Sequence, residues 1–559
     1  THAVRIPTIP DGRGAETAFQ SRKALYINTL RECEVSREDR AATASSLKTA
    51  FLTGSLSAAS VRYNKLKQHG MSVASALYSP ESVRFSPYLP PHYHMDAYLA
   101  RMPAVRDALE AVWSASDAGA VFNMGVRAAY YTDCVTFKVL TSNGAPTVAL
   151  ISDPGDLGVW EEISDDFVHQ EALCHWYSMS LPAFWRLISG KPASMRERLW
   201  AIAQEHRSRR PYGRDDALPP TVESLIVFST SPTMAGEANV AGLDATMAKP
   251  QVAADVVRLA ELWIWDDALA DYRVVTFLLP TETIVRDTGN PLLPGEHPFY
   301  PLTLDPVPGY VWGLAPMRYL IGLQNWREKK MLSMDDRDEK QIDPPLVLLG
   351  FGNLVDNEKA KAFRKAGGTL AANNPGADVK PVIPPPIPDP LYMIDAIDRM
   401  WENMESLPTG AGARGLGPAS AEDDLMAKAL LSSGPTLNRA MLVERCIERV
   451  ATALLRLERR RKERPLFTTE GERFYLSQMP AALAARVWAH SASPIFAQQI
   501  MSKALAARQT GDITGEDFLE FLNLPGLDLL RPKARRIAEA QAEHQDKVMQ
   551  VAKLKALKK

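Results

Sequence analysis

Apolar positions with helical spacing come first: Ala24, Leu25, Ile27, Leu30, Leu47, Phe51 and Leu52 stand against Arg22, Lys23, Arg37, Arg40 and Lys48 on other faces. This spacing predicts helix over residues 17–67, and residues 98–115 read as another helix. The pattern then shortens. AVFNMGVRAAYY, CVTFKVLTS, PTVALIS and GVWEEI are brief apolar runs broken by SNGAP and DPGD, and they predict strands of a small mixed sheet. Helical spacing returns over 167–205, clearest at 179–190 and 193–206. ESLIVFST, DVVRLAELWIWDD and YRVVTFLLPTETIVRD predict further strands, the last two joined as a hairpin through residues 266–271. An α+β body of about 300 residues results.

Residues 294–350 break this rhythm. A Pro/Gly-studded approach, GEHPFYPLTLDPVPGYVWG, leads into LAPMRYLIGLQNWREKKMLSMDDRDEKQI and stops at DPPLVLLG. Pro316 suits a first helical turn, where its missing N–H is unneeded. Helix is expected from about Ala315 to Ile342, because Asp343 precedes Pro344 and is biased away from helical angles. About 26 residues would make a rod of roughly 40 Å. Met317, Leu320 and Ile321 give an apolar stripe, but Gln324 interrupts it and SMDDRDEKQ has little to bury. Such a helix needs neighbours.

Beyond it, LVLLGFGN and GTLAANNPGADVKPV read as strands around a helical EKAKAFRKA, and IPPPIPDP is a stiff spacer. Leu391, Ile394, Ile397, Met400, Trp401 and Met404 predict a helix over 390–407. A Gly-rich loop, TGAGARGLGP, follows, then a helix over 436–464 and helical pieces over the last hundred residues.

Composition narrows the class. A chain of 559 residues with 46% hydrophobic and 23% charged residues is globular, and about 150 residues per domain suggests three or four packed units. Lys+Arg 64 against Asp+Glu 66 leaves a net charge of -2, no basis for tight nucleic-acid wrapping. Cys33, Cys134, Cys174 and Cys446 are isolated and read as buried thiols of a reduced compartment. Neither a membrane span nor a signal peptide is expected.

No motif assembles a catalytic constellation. Gly410, Gly412 and Gly415 satisfy GxGxxG without a βαβ frame, so they read as a loop rather than a nucleotide site. His92 and His94 have no third ligand nearby. Cys174 and His175 sit in an apolar run and read as core. Asp335, Asp336, Asp338 and Glu339 are interspersed with Arg337 and Lys340, as on a solvated helix face. The basic stretch 533–559 has two readings, a helix that meets phosphates through its Lys and Arg side chains and a solvated helix packing Ile537, Val548, Val551 and Leu554 on a neighbour. A non-enzymatic protein without cofactor or metal is expected.

The ordered run NPLLPGEHPFYPLTLDPVPGYVWGLAPMRYLIGLQNWREKKMLSMDDRDEKQIDPPLVLLG resembles the wing-to-stem region of tailed-bacteriophage portal proteins, the head-to-tail connectors. A proline-bearing segment passes through Gly313 into a helix with Gln324 and Asn325 near its middle, and a "PP" follows. SAEDDLMAKALLSSGPTLNRAMLVERCIERVATALLRL resembles the segment after the portal tunnel loop. The resemblance spans residues 262–530 in order of elements.

That resemblance implies an α+β, mostly helical protomer. Its parts would be a wing at 1–311, first stem helix at 312–342 and small α/β clip at 343–389. A second stem helix at 390–407, a tunnel loop at 408–419, wing helices at 420–530 and a crown at 531–559 would complete it. It also implies a ring, usually of twelve subunits, at a capsid vertex of the virion, assembled in the host cytoplasm with capsid and scaffold proteins. Double-stranded DNA would pass through the central channel, with Asp335, Asp338 and Glu339 facing it and Arg414 contacting the DNA. The clip, around Asn373, Asn374, Asp378 and Lys380, would dock the terminase large subunit and later the head-tail adaptor. Two other readings remain open on sequence: another tail or baseplate scaffold, and a metal-dependent enzyme of nucleic-acid metabolism.

Overall fold

The computed structural model describes residues 15–211, 253–342, 346–349, 378–381, 394–400 and 434–487, apart from gaps at 36, 54–63, 82, 94–95, 143, 165–166, 293–294, 462–464 and 468–470, together with Arg508. It is a mixed helix and sheet protein, as expected for α+β. Helices α1 (Ala15–Glu34), α2 (Arg37–Thr53) and α3 (Lys65–Leu77) open the described chain. Strand β1 (Phe85–Tyr88), the short α4 (Asp96–Leu99) and α5 (Met102–Ala115) follow, then α6 (Ala118–Tyr131), β2 (Val135–Ser142) and β3 (Ala145–Ile151).

The stretch AVFNMGVRAAYY, expected as strand, is α6. Phe122, Val126, Ala129 and Tyr130 fall on one helical face and are buried. Small residues make this possible: a Cβ on Gly125 would sit 2.4 Å from the Phe137 ring. With only Asn123 and Arg127 polar, so short an apolar run shows too little of its period.

The opposite correction applies further on, where β4 (Leu157–Val159) precedes β5 (Ala172–Ser180), placed in a stretch expected as helix. Eight of its nine residues are buried, on both faces, so no alternation marks it as a strand. The expected helices do follow, as α7 (Leu181–Ile188) and α8 (Ala193–Glu205), then β6 (Ser208–Pro211). ESLIVFST lies outside the described residues. Strands β7 (Ala253–Asp266) and β8 (Asp271–Leu279) form the expected hairpin, with Asp266 opposite Asp271. With β9 (Thr283–Gly289) they complete a sheet in the order β4-β5-β7-β8-β9, β6 pairing with β7. Both faces are covered. Tyr26, Leu30 and Cys33 of α1 pack on one; Phe299, Trp312, α7 and α8 cover the other.

A second sheet, β10-β2-β3, is completed by β10 (Phe299–Leu302), and β11 (Asp305–Val307) pairs with β12 (Tyr310–Leu314). The long helix α9 (Ile321–Ile342), the strands β13 (Leu346–Leu349) and β14 (Asp378–Pro381), a helical segment over 394–400 and α10 (Gly434–Arg460) come next. The largest core joins α2, α3, α5, α6, the second sheet and α10. Strands β15 (Pro465–Phe467), β16 (Arg473–Tyr475) and β17 (Ala484–Val487) replace part of the helix expected near the end, and β17 pairs with the distant β1. Three- and four-residue strands are too short for a period to register.

Candidate functional site

The long helix leaves the body through a rigid root. Residues 316–319 form a 3-10 turn rather than α-helix, and the α-helical ladder begins where Gln324 N–H reaches Leu320 O at 3.0 Å. The helix expected at 312–342 therefore starts at Ile321. Its 22 residues span about 33 Å, less than the sequence suggested. Gly313 sits not at a helix start but in β12, with φ 64°, and a Cβ there would lie 2.8 Å from Asp305 O. Only glycine fits that approach without a shift.

Asp133 fixes the turn. Its Oδ1 accepts from Ala315 N at 2.9 Å and Arg318 Nε at 2.7 Å, and its Oδ2 pairs with Arg318 Nη2. Met317 and Leu320 are buried beneath. A carboxylate taking both a backbone amide and a guanidinium makes a charge-assisted anchor.

One turn later Gln324, wholly buried, accepts from Lys65 N at 3.3 Å through Oε1. Asn64 orders this amide's surroundings by capping α3, accepting from Lys67 N at 3.0 Å and donating to Phe51 O at 2.8 Å. Lys65 also reaches the returning segment: its Nζ lies 2.8 Å from Asp398 Oδ1, to which Arg327 Nε donates at 3.2 Å. Asp398 thus joins α9 to the helical segment over 394–400, where Ile397 is buried. Two helices that leave and re-enter the body are clamped at their base, and the β13–β14 pair lies between them in sequence. Beside the root, where Asp305 of β11 pairs with Leu314, Arg439 of α10 grips Asp305 with two bonds of 2.9 and 3.0 Å.

Outward, the same helices carry apolar side chains in solvent. Trp326 is 43% exposed, Leu332 50% and Met400 45%, with Tyr319 exposed beside the root.

No protein-family model matches this chain, and no curated protein matches it.

The sequence-predicted site residues divide by location. Asp335, Asp338 and Glu339 are on the distal half of α9, whose side chains lie outside the described residues. Asp378 and Lys380 are on β14, opposite Leu349 and Val347. Asn373, Asn374 and Arg414 lie outside the described residues, as do the Gly-rich loop and residues 533–559. Asp378 and Lys380 alone among the docking residues are thus brought onto one element. His92 ends in a 3-10 turn with its ring against Tyr93. Cys174 and His175 are buried side by side on β5, and all four cysteines are buried. Among the described residues no group of three or more His, Cys, Asp or Glu is placed to hold a metal ion, and no helix is long and apolar enough to cross a membrane.

Sequence reading missed Asp133, Lys65, Arg327 and Asp398. Their partners are 185 and 333 residues distant in two of the pairs, beyond any local period. Gln324 did leave a signal, as the polar residue interrupting an apolar stripe.

Proposed function

We propose that this chain is the subunit of a tailed-phage portal, a ring at the capsid vertex through which double-stranded DNA is packaged and ejected. The observation that carries the reading is the out-and-back excursion. A mixed body sends out α9, an antiparallel strand pair follows, and a helix returns to α9 at the Asp398 clamp. This is the order of wing, stem, clip and stem implied by the resemblance. In this reading Asp335, Asp338 and Glu339 discourage DNA from sticking, since like charges repel over a Debye length of about 8 Å. Arg414 contacts the DNA, and the clip, with Asn373, Asn374, Asp378 and Lys380, docks terminase and then the adaptor.

Support also comes from the exposed Trp326, Leu332 and Met400. A ring of copies would cover such residues with a different patch of the next subunit, as a closing heterologous interface requires. Negative-stain images of the purified chain provide the test. Rings of about twelve subunits with a central hole are expected, by the symmetry the resemblance implies; particles without a hole across a range of salt and protein concentrations would count against the reading.

A further inference from the structure

We propose that the cleft between the two sheets binds a small amphipathic organic anion, apolar body inside and carboxylate-like head at Arg286. The inference does not rest on the portal reading.

The cleft holds about 690 Å³, within the range of small-molecule sites. Trp263 and Val274 line one wall, Val139 the other, and Leu457 of α10 closes an end. On the wall formed by the larger sheet, Glu261, Thr276 and Arg286 line the cleft in one cross-strand row. Strand register sets His175 opposite Glu261, Glu261 opposite Thr276 and Thr276 opposite Arg286. Directly paired residues project to the same face of a sheet, so the row runs from the buried His175 at 1% exposure to the exposed Arg286.

Charge decides the ligand's orientation. Deep in the cleft, Glu261 Oε1 is already occupied by Lys138 Nζ at 2.7 Å and Trp263 Nε1 at 2.6 Å. That carboxylate is neutralised and offers little to a cationic head. At the mouth, Arg460 donates to the carbonyls of Pro291 and Leu292, and Arg461 pairs with Glu458. Arg286 makes no ion pair or hydrogen bond among the described residues. A free guanidinium beside an apolar cavity suits a carboxylate or sulfonate joined to a hydrocarbon or aromatic body.

The probe is 8-anilinonaphthalene-1-sulfonate, titrated into the purified full chain by fluorescence. Saturable binding is expected, displaced by decanoate and not by decylamine, which has the same tail and the opposite charge. Arg286→Glu should weaken the probe about tenfold or more, the loss of a charge-assisted contact. Arg286 is exposed, so circular dichroism of the variant should match the parent. Absence of saturable binding, equal displacement by decanoate and decylamine, or unchanged affinity in Arg286→Glu would each overturn the proposal.

Discussion

At the residue scale, the most consequential group is the polar cluster sealed between the sheets. Lys138 is fully buried and bonds Glu261 Oε1, and its Nζ lies 3.3 Å from His175 Nδ1. His175 Nε2 has no hydrogen-bond partner among the described residues. Burial, and then the Lys138 charge, hold the His175 pKa well below its usual value of 6.5. Tyr177, whose ring stacks on His175, is pushed up by burial, so it stays neutral across the acid range. The folded His175 ring remains neutral where the unfolded ring takes a proton. Below pH 6.5 the unfolded chain therefore binds more protons, and stability falls as pH drops, by up to about 1.4 kcal/mol per unit for one group. Urea midpoints measured from pH 8 to pH 5 should show this fall, and His175→Phe should flatten it. A slope identical in parent and variant would mean that other groups carry the acid sensitivity.

At the element scale, the Asp398 clamp separates two roles that a single helix would confuse. Its partners are partly exposed, with side chains 25% accessible at Lys65 and 15% at Arg327, so solvent screens the pair. Asp398→Asn should cost only about 1 kcal/mol of global stability. Its local effect should be larger, because these bonds tie the returning segment to α9. Hydrogen exchange at residues 394–400 should quicken several-fold, with the β7–β8 hairpin unchanged; uniform quickening across both regions would show that the clamp is not local.

Elements were readable from sequence where one face was polar, as in α5 and α8, or where a turn signal marked the join, as in the hairpin at 266–271. They were misread where the wet face was absent or carried few polar residues: β5 is buried on both faces, and the exposed side of α6 shows Ala120 and Met124 with Arg127. The candidate site was half legible for a related reason. Gln324 announced itself by breaking an apolar stripe, whereas Asp398 looks like any exposed acid until Lys65, 333 residues away, is brought beside it.

At the scale of the whole molecule, α9 has an inward and an outward side. Gln324 and Glu328 are buried four residues apart on one face, and Trp326 lies about 200° around the helix from Gln324, at 100° per residue. An exposed tryptophan opposite the face that grips the body has no intrachain task visible among the described residues. If copies stand side by side, Trp326 and Leu332 become contact residues, and tryptophan is among the side chains that dominate such contacts. Trp326→Glu should then shift the purified chain from ring to monomer in light scattering, since a buried unpaired carboxylate at each subunit boundary would repeat around the ring. Because Trp326 is 43% exposed within one subunit, the monomer's melting temperature should barely move. The pairing of lost assembly with unchanged monomer stability separates an interface role from a folding role. Rings forming as readily in Trp326→Glu as in the parent would place the contact on another face of the subunit.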